Sequence, residues 1–269
     1  MLKTYHSRYH FSYRTSILHH LSALIFTLVL LSFGLLVIFN FLHPVNLSDY
    51  KNVSIYDILL ATTLTLFRMI MAFVLSIIVA VPLVIISTSH PKVEKILLPV
   101  FDILQSIPPL AFFPVLVLFF IKFNLLESAA IFILFMEMVW ILVFSMIGGL
   151  KTIPDDIKNV ASIYKITGLN EIWYILLPAI FPQIVTGALL AWGASWSIVI
   201  VAEVLHTYIP GGTISQDLFG LGSLLVNSAF YNNNLLFLAT LLVMIIIISL
   251  MNVLIWQRLL HLVQRYKFD

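Results

Sequence analysis

The chain has 269 residues, no cysteine and a formal net charge of only +2. Hydrophobic residues make up 61% of it and charged residues 10%, whereas soluble domains are about 45–50% apolar and about 25% charged. This composition excludes an ordinary soluble domain, disulfides and a cysteine nucleophile, argues against nucleic acid as a partner, and predicts an all-α integral membrane protein surrounded by a lipid bilayer.

The N-terminal part is predicted to be a tail, residues 1–20, followed by a first transmembrane helix, residues 21–42. A span of the hydrocarbon core needs about 20 apolar residues, and this run has that length. No small-residue cleavage site follows it, so we expect a retained helix and not a cleaved signal peptide.

Five further spans are predicted between residues 55 and 256. They run approximately over residues 58–88, 100–121, 125–147, 182–205 and 235–256. The second of these contains Pro108, Pro109 and Pro114. Proline lacks the N–H that a helix needs, so we expect this span to be kinked or broken.

The basic residues predict the orientation of the chain. With the N-terminus in the cytoplasm, Lys51 and Lys122 are external and Arg68 lies within a span, while the other eleven of the 14 lysines and arginines are cytoplasmic. Such an excess marks the cytoplasmic side. Both termini, including the tail 257–269, are therefore expected in the cytoplasm, with the protein in the cell (inner) membrane.

Charged residues inside the spans are candidates for function. Arg68, Glu137 and Glu203 lie within or near the ends of predicted spans. A charge at the bilayer centre costs at least about 2.5–3.5 kcal/mol, so each should face the bundle interior, a wet cavity or an interface. They either line a translocation pathway or stabilise one of its gates, or they form internal ion pairs or reach the membrane surface.

Small residues on the predicted span 182–205 predict close helix packing. Gly187 and Gly193, with alanines at 188, 191 and 194, let another helix approach the backbone. This helix is expected at the pathway or at a dimer interface.

The loop 148–177 is predicted to contain a short amphipathic helix. Ile157, Val160, Ala161 and Tyr164 follow one another at helical spacing and form an apolar stripe. Gly168 can end this helix in a left-handed cap. The helix either rests on the membrane surface or docks into a groove on a cytoplasmic partner.

Residues 159–178 resemble the EAA loop of binding-protein-dependent ABC importer permeases. On this register Asn159, Val160 and Ala161 occupy the Glu-Ala-Ala positions, and Lys165 occupies the glycine position. The closing Ile-x-Leu-Pro falls on residues 175–178, which include Leu177 and Pro178. Asn cannot form the ion pair expected of Glu, and Lys does not take a left-handed backbone cheaply, although Gly168 can supply the turn.

Other segments extend this resemblance to about residues 55–260. Residues 105–111 and 220–225 are similar to the nitrate, sulfonate, taurine and bicarbonate branch of the family. The resemblance implies a type I ABC importer bundle with a permease core over residues 55–256 and a cytoplasmic coupling helix over residues 155–168. It also implies a second permease subunit, identical or related, a cytoplasmic ATPase dimer, an external substrate-binding protein and a small-anion substrate.

The chain itself is not expected to be an enzyme. A P-loop requires a Gly-Lys pair, and this sequence has none. No cofactor or metal is therefore expected in this chain, and ATP with Mg²⁺ belongs to the partner ATPase. Two other functions stay open: a secondary transporter driven by an ion gradient, and a permease-like regulatory subunit without transport. An intramembrane enzyme would need a nucleophile–base pair or metal ligands, and the sequence shows no such motif.

Overall fold

The helices follow the apolar runs, because in lipid every backbone N–H and C=O must be satisfied within the chain. The structure is a computed structural model and describes residues 53–88, 91–154, 156–157, 163–164 and 169–263. Within these ranges it contains helices, turns and short loops but no strand, which confirms the all-α class. The predicted tail 1–20 and helix 21–42 lie outside the described residues.

Eight α-helices are named here in the described part of the chain. They are α1 Ile55–Thr88, α2 Pro91–Ser106, α3 Pro109–Ile121, α4 Leu126–Lys151, α5 Leu177–Glu203, α6 Leu221–Phe230, α7 Asn234–Met251 and α8 Gln257–Val263. Two π-helical segments extend them: Ile172–Leu176 leads into α5, and Asn252–Trp256 joins α7 to α8.

Four continuous helical segments of the described part are long and apolar enough to cross a membrane. They are Ile55–Thr88, Leu126–Lys151, Ile172–Glu203 and Asn234–Val263. The helices α2 and α3 meet at an angle of 78° and make a fifth span if the pair is taken as one crossing; we call this pair the broken span. The break falls at Ile107 and Pro108, which confirms the prediction made from the prolines.

The span that ends at Glu203 begins earlier than the sequence predicts. It starts at Ile172 instead of near Pro182, because the π-helical turn runs directly into α5. Pro178 stands in the first turn of α5, directly after the π-helical segment.

Helix α4 lies at the centre of the bundle and packs mainly against α1 and α5. The Arg68 end of the bundle is defined as the end where α4 begins, α5 ends and α6 lies; the Lys151 end is the opposite one. At Gly187 an added Cβ would come within 2.5 Å of the Ser145 Cβ, so the close packing predicted for the small residues is confirmed there. Gly193, in contrast, faces open space.

Candidate functional site

A buried guanidinium is the centre of the Arg68 end. Arg68 lies on α1 and forms two parallel bonds with the Glu127 carboxylate at the start of α4, 2.6 Å from Nε to Oε2 and 2.7 Å from Nη2 to Oε1. Its Nη1 donates to the Phe219 carbonyl at 3.0 Å. The Arg68 side chain is only 1% exposed and that of Glu127 is 46% exposed, so the pair reaches from the interior to the surface.

Glu203, the last residue of α5, is the second partner of Arg68. Its Oε1 accepts from Arg68 Nη1 at 2.8 Å and from the Thr65 hydroxyl at 2.7 Å. Its Oε2 accepts from the backbone N–H of Gly222 at 2.7 Å and, more weakly, from that of Ser223 at 3.4 Å. The side chain is fully buried, so these donors replace all contact with water.

The N-terminus of α6 is built around this carboxylate. The first amides of a helix have no intrahelical acceptor. Here Leu221 N–H donates to the Thr65 hydroxyl at 2.9 Å, while the next two amides donate to Glu203. A Cβ added at Gly220 would collide with the Glu203 carboxylate, and one at Gly222 would lie 2.7 Å from the Ile200 Cα. The two glycines therefore allow the helix terminus to approach α5.

The network joins α1, α4, α5 and α6 and has a formal charge of −1. Arg68 is paired with two carboxylates. One of them, Glu203, also lies at the N-terminus of α6, the positive end of the helix dipole, which favours its negative charge. Arg68 and Glu203 thus form an internal ion pair, one of the two readings that the sequence leaves open. The arrangement can hold the start of α4, the end of α5 and the start of α6 against the middle of α1.

A second polar cluster anchors the segment between α5 and α6. The Asp217 carboxylate accepts from the backbone N–H of His206 at 2.9 Å and from the Asn227 side-chain amide at 3.0 Å. It also contacts Nδ1 of the His206 ring at 2.8 Å. Among the described residues no group of three or more His, Asp or Glu side chains could hold a metal ion.

Glu137 does not join either cluster. It lies in the middle of α4, is half-buried, and has no ion pair within the described ranges. The structure therefore brings together two of the three charges singled out from the sequence and leaves the third apart.

The predicted coupling helix is described only in small part. Five of its residues lie outside the described residues: Asn159, Val160, Ala161, Lys165 and Gly168. At the start of α5, Leu177 packs against the core and Pro178 is exposed. Large apolar side chains flank this region at the Lys151 end with most of their surface exposed: Ile163, Tyr164, Trp173 and Tyr174.

Sequence reasoning missed Glu127 and Thr65. Glu127 lies beside the end of an apolar run, where solvation is the usual expectation, and Thr65 is a small polar residue in the interior of α1. The sequence held one indirect indication of Glu127. An arginine inside a span needs an acidic partner, and Glu127 is an acid in the first turn of α4.

Comparisons with known proteins place this bundle in context. The family model described as the binding-protein-dependent transport system inner membrane component matches residues 72–266. The chain is 34% identical over 125 residues to the nitrate import permease protein NrtB of Leptolyngbya laminosa, covering 46% of this chain and 44% of that protein. It is 31% identical over 150 residues to the bicarbonate transport system permease protein CmpB of Synechococcus elongatus, covering 56% and 53%.

The chain is also similar to the taurine transport system permease protein TauC of Escherichia coli, with 26% identity over 146 residues, or 54% of this chain and 51% of that protein. Each of these alignments thus spans about half of the relative's length.

Proposed function

Because this chain belongs to the family of inner membrane components of binding-protein-dependent transport systems, we propose that it forms half of the substrate pathway of an ATP-driven importer. The other half is a second permease subunit, identical or related. The chain is the multi-pass membrane component of its transporter and not the ATPase. An external substrate-binding protein delivers the solute, and a cytoplasmic ATPase dimer with bound ATP and Mg²⁺ drives the cycle.

The family match over residues 72–266 carries this proposal, because it extends from α1 beyond α8 and includes the whole loop between α4 and α5. The exposed side chains near that loop support the coupling role. Tyr164 and Trp173 present large apolar surfaces at the Lys151 end, as expected of a helix–groove contact with a partner. We assign Asn159 to Gly168 to the coupling helix and the Lys151 end to the cytoplasm, with both chain termini on that side.

The solute is proposed to be a small anion or zwitterion such as nitrate, bicarbonate, a sulfonate or taurine. The support is the transport role named for the similar permeases of Leptolyngbya, Synechococcus and Escherichia. Arg68 and Glu203 hold the gate at the Arg68 end, since the network around them fixes three helix termini against α1. Glu137 lines the pathway, since it is a half-buried carboxylate in the middle of a span.

Co-purification with the partner ATPase, which we expect to be encoded beside this chain, tests the coupling role. We expect Ala161→Arg and Lys165→Glu to reduce both retention of the ATPase and ATP-dependent uptake, because each alters the proposed docking helix. Lys122→Glu is the matched control, since it makes the same charge reversal at the proposed external side and should leave retention unchanged. Full retention and uptake in both docking variants would contradict the assignment, and retention without uptake in the wild type would favour the regulatory alternative.

A further inference from the structure

One turn of the broken span presents polar side chains on an exposed surface. Asp102, Gln105 and Ser106 follow one another at positions i, i+3 and i+4 of α2, so they share one side of the helix. All three are exposed, and they bond to one another: Gln105 Nε2 donates to Asp102 Oδ1 at 2.9 Å, and the Ser106 hydroxyl donates to the Asp102 carbonyl at 2.7 Å. We name these three residues the α2 polar face.

The α2 polar face lies at membrane depth. Near the start of α2, Glu94 pairs with Lys151 at 3.0 Å, which places that start at the Lys151 end. Beyond the break, the Phe113 ring packs against Tyr208 with 4.9 Å between ring centroids, which places α3 at the Arg68 end. Asp102 lies about 12 Å along the helix axis beyond Glu94, between the two ends.

The backbone beside the α2 polar face is also incompletely bonded. Pro108 and Pro109 have no N–H, so the carbonyls of Leu104 and Gln105 lose their helical donors. The Leu104 carbonyl accepts a hydrogen bond from the Ile107 N–H instead, at 3.4 Å. Irregular backbone at membrane depth is tolerated where it is buried in protein or lines a water-filled cavity, and this segment is exposed on the chain's own surface. The broken backbone and the polar side chains thus point independently to water on this side of α2.

The charge balance of the spans indicates which solutes such a cavity favours. More than two turns from a span end, the described spans hold three charged residues: Arg68, Asp102 and Glu137. Arg68 is already paired with two carboxylates, whereas neither acid has an ion pair in the described part. Phe101 packs on Trp140 with 5.7 Å between ring centroids, and Trp140 is one turn from Glu137, so both acids border the contact between α2 and α4.

We propose that the α2 polar face lines the water-filled part of the transport pathway and selects solutes that carry an amino or ammonium group, with Asp102 as the specificity-determining residue. This inference rests on the proposed importer function and narrows it. An aminosulfonate such as taurine fits both the carboxylate and the branch of relatives. Nitrate and bicarbonate carry no group that could bond to Asp102 as an ammonium does.

Thiol labelling in membrane vesicles holding the full transporter tests the wet surface, because the chain has no cysteine of its own. Ser106→Cys is treated with a cationic trimethylammonium and with an anionic sulfonate methanethiosulfonate, and rates are normalised to a free thiol. Leu242→Cys on α7, where Leu242 is 57% exposed, is the matched control for a lipid-facing position. We expect Ser106→Cys to react and Leu242→Cys to remain unreactive.

The cationic reagent should react faster at Ser106→Cys. Asp102→Asn should lower the ratio of the cationic to the anionic labelling rate on the order of tenfold, because Asp102 lies one turn from Ser106 and the two reagents differ by two charges. A Ser106→Cys thiol as unreactive as the control would overturn the wet surface. A reaction without preference for the cation, or a preference that survives Asp102→Asn, would overturn the role of Asp102.

Uptake separates this inference from the importer function. In the wild type, unlabelled taurine should compete with radiolabelled taurine at least roughly tenfold better than ethanesulfonate, which differs by the missing amine, and Asp102→Asn should reduce that difference. Equal competition by ethanesulfonate would count against the amine selectivity. Absence of uptake of taurine, nitrate and bicarbonate, together with the expected labelling, would instead contradict the proposed function and leave the water-filled surface standing.

Discussion

Replacing Arg68 by methionine should destabilise the bundle mainly through Glu203. Methionine has similar length but no charge, so Arg68→Met leaves two carboxylates without their cation. Glu127 is 46% exposed and can be hydrated again, whereas Glu203 is 0% exposed and keeps only its bonds to Thr65 and α6. Removing one partner of a buried ion pair costs about 3–5 kcal/mol, and we expect a loss of that size in the free energy of unfolding.

The second substitution identifies which carboxylate causes the loss. Arg68→Met with Glu203→Gln removes the stranded charge and should recover at least about 2 kcal/mol, because an uncharged replacement of a buried pair is often nearly neutral. Arg68→Met with Glu127→Gln should recover little, since Glu127 contacts solvent. Arg258→Met in α8 is the matched control, because Arg258 is exposed, and it should stay within about 0.5 kcal/mol of the wild type.

The measurement is an unfolding titration with dodecyl sulfate in mixed micelles, followed by fluorescence of the 5 tryptophans. An unfolding free energy of Arg68→Met within about 1 kcal/mol of the wild type would contradict the importance of this buried ion pair. Equal rescue by the two glutamine substitutions would also refute it, because the argument depends on the different burial of the two acids.

Three further predictions are checked with the same titration. Gly222→Ala should lower the free energy of unfolding by at least about 1–3 kcal/mol, because the new Cβ meets the α5 backbone. Gly193→Ala is the control and should be nearly neutral, because Gly193 faces open space. Similar values for both variants would contradict the close approach of α6. Gly187→Ala should destabilise the protein by a similar amount. Adding Ser145→Gly should restore part of the loss, because it removes the opposing Cβ on α4. No rescue would mean that α4 and α5 separate freely to make room. Asp217→Ala should cost at least about 2 kcal/mol, because buried donors lose their acceptor, and a loss below about 0.5 kcal/mol would argue against the cluster.

Elements that depend on local chemistry could be predicted from the sequence. Pro108 and Pro109 mark the break between α2 and α3 because the missing N–H groups act on their immediate neighbours. The start of the span that ends at Glu203 was predicted too late. A π-helical turn over Ile172–Leu176 carries the helix into that span, and no residue pattern in the sequence announces such a turn.

The charge network could be predicted only in part, because its members are far apart in the chain. Arg68 and Glu203 stand out individually as costly charges, yet 135 residues separate them and nothing in either neighbourhood indicates the other. Glu127 did not stand out, because an acid next to a span end is ordinarily solvated. The glycines at 220 and 222 fall in the segment 220–225 that is similar to the family branch, but the space taken by Glu203, which requires glycine there, can be seen only in the fold.

The separation of these partners also bears on how the protein is made. Arg68 emerges from the ribosome 59 residues before Glu127 and 135 residues before Glu203. Helix α1 therefore enters the bilayer with an uncompensated guanidinium, and its strong hydropathy must carry that charge through insertion until α4 supplies the first carboxylate. Until α5 and α6 are made, Arg68 can pair only with Glu127, and the network that joins the four helices is incomplete. We therefore expect the network to form in chain order, with Glu127 pairing with Arg68 before Glu203 does.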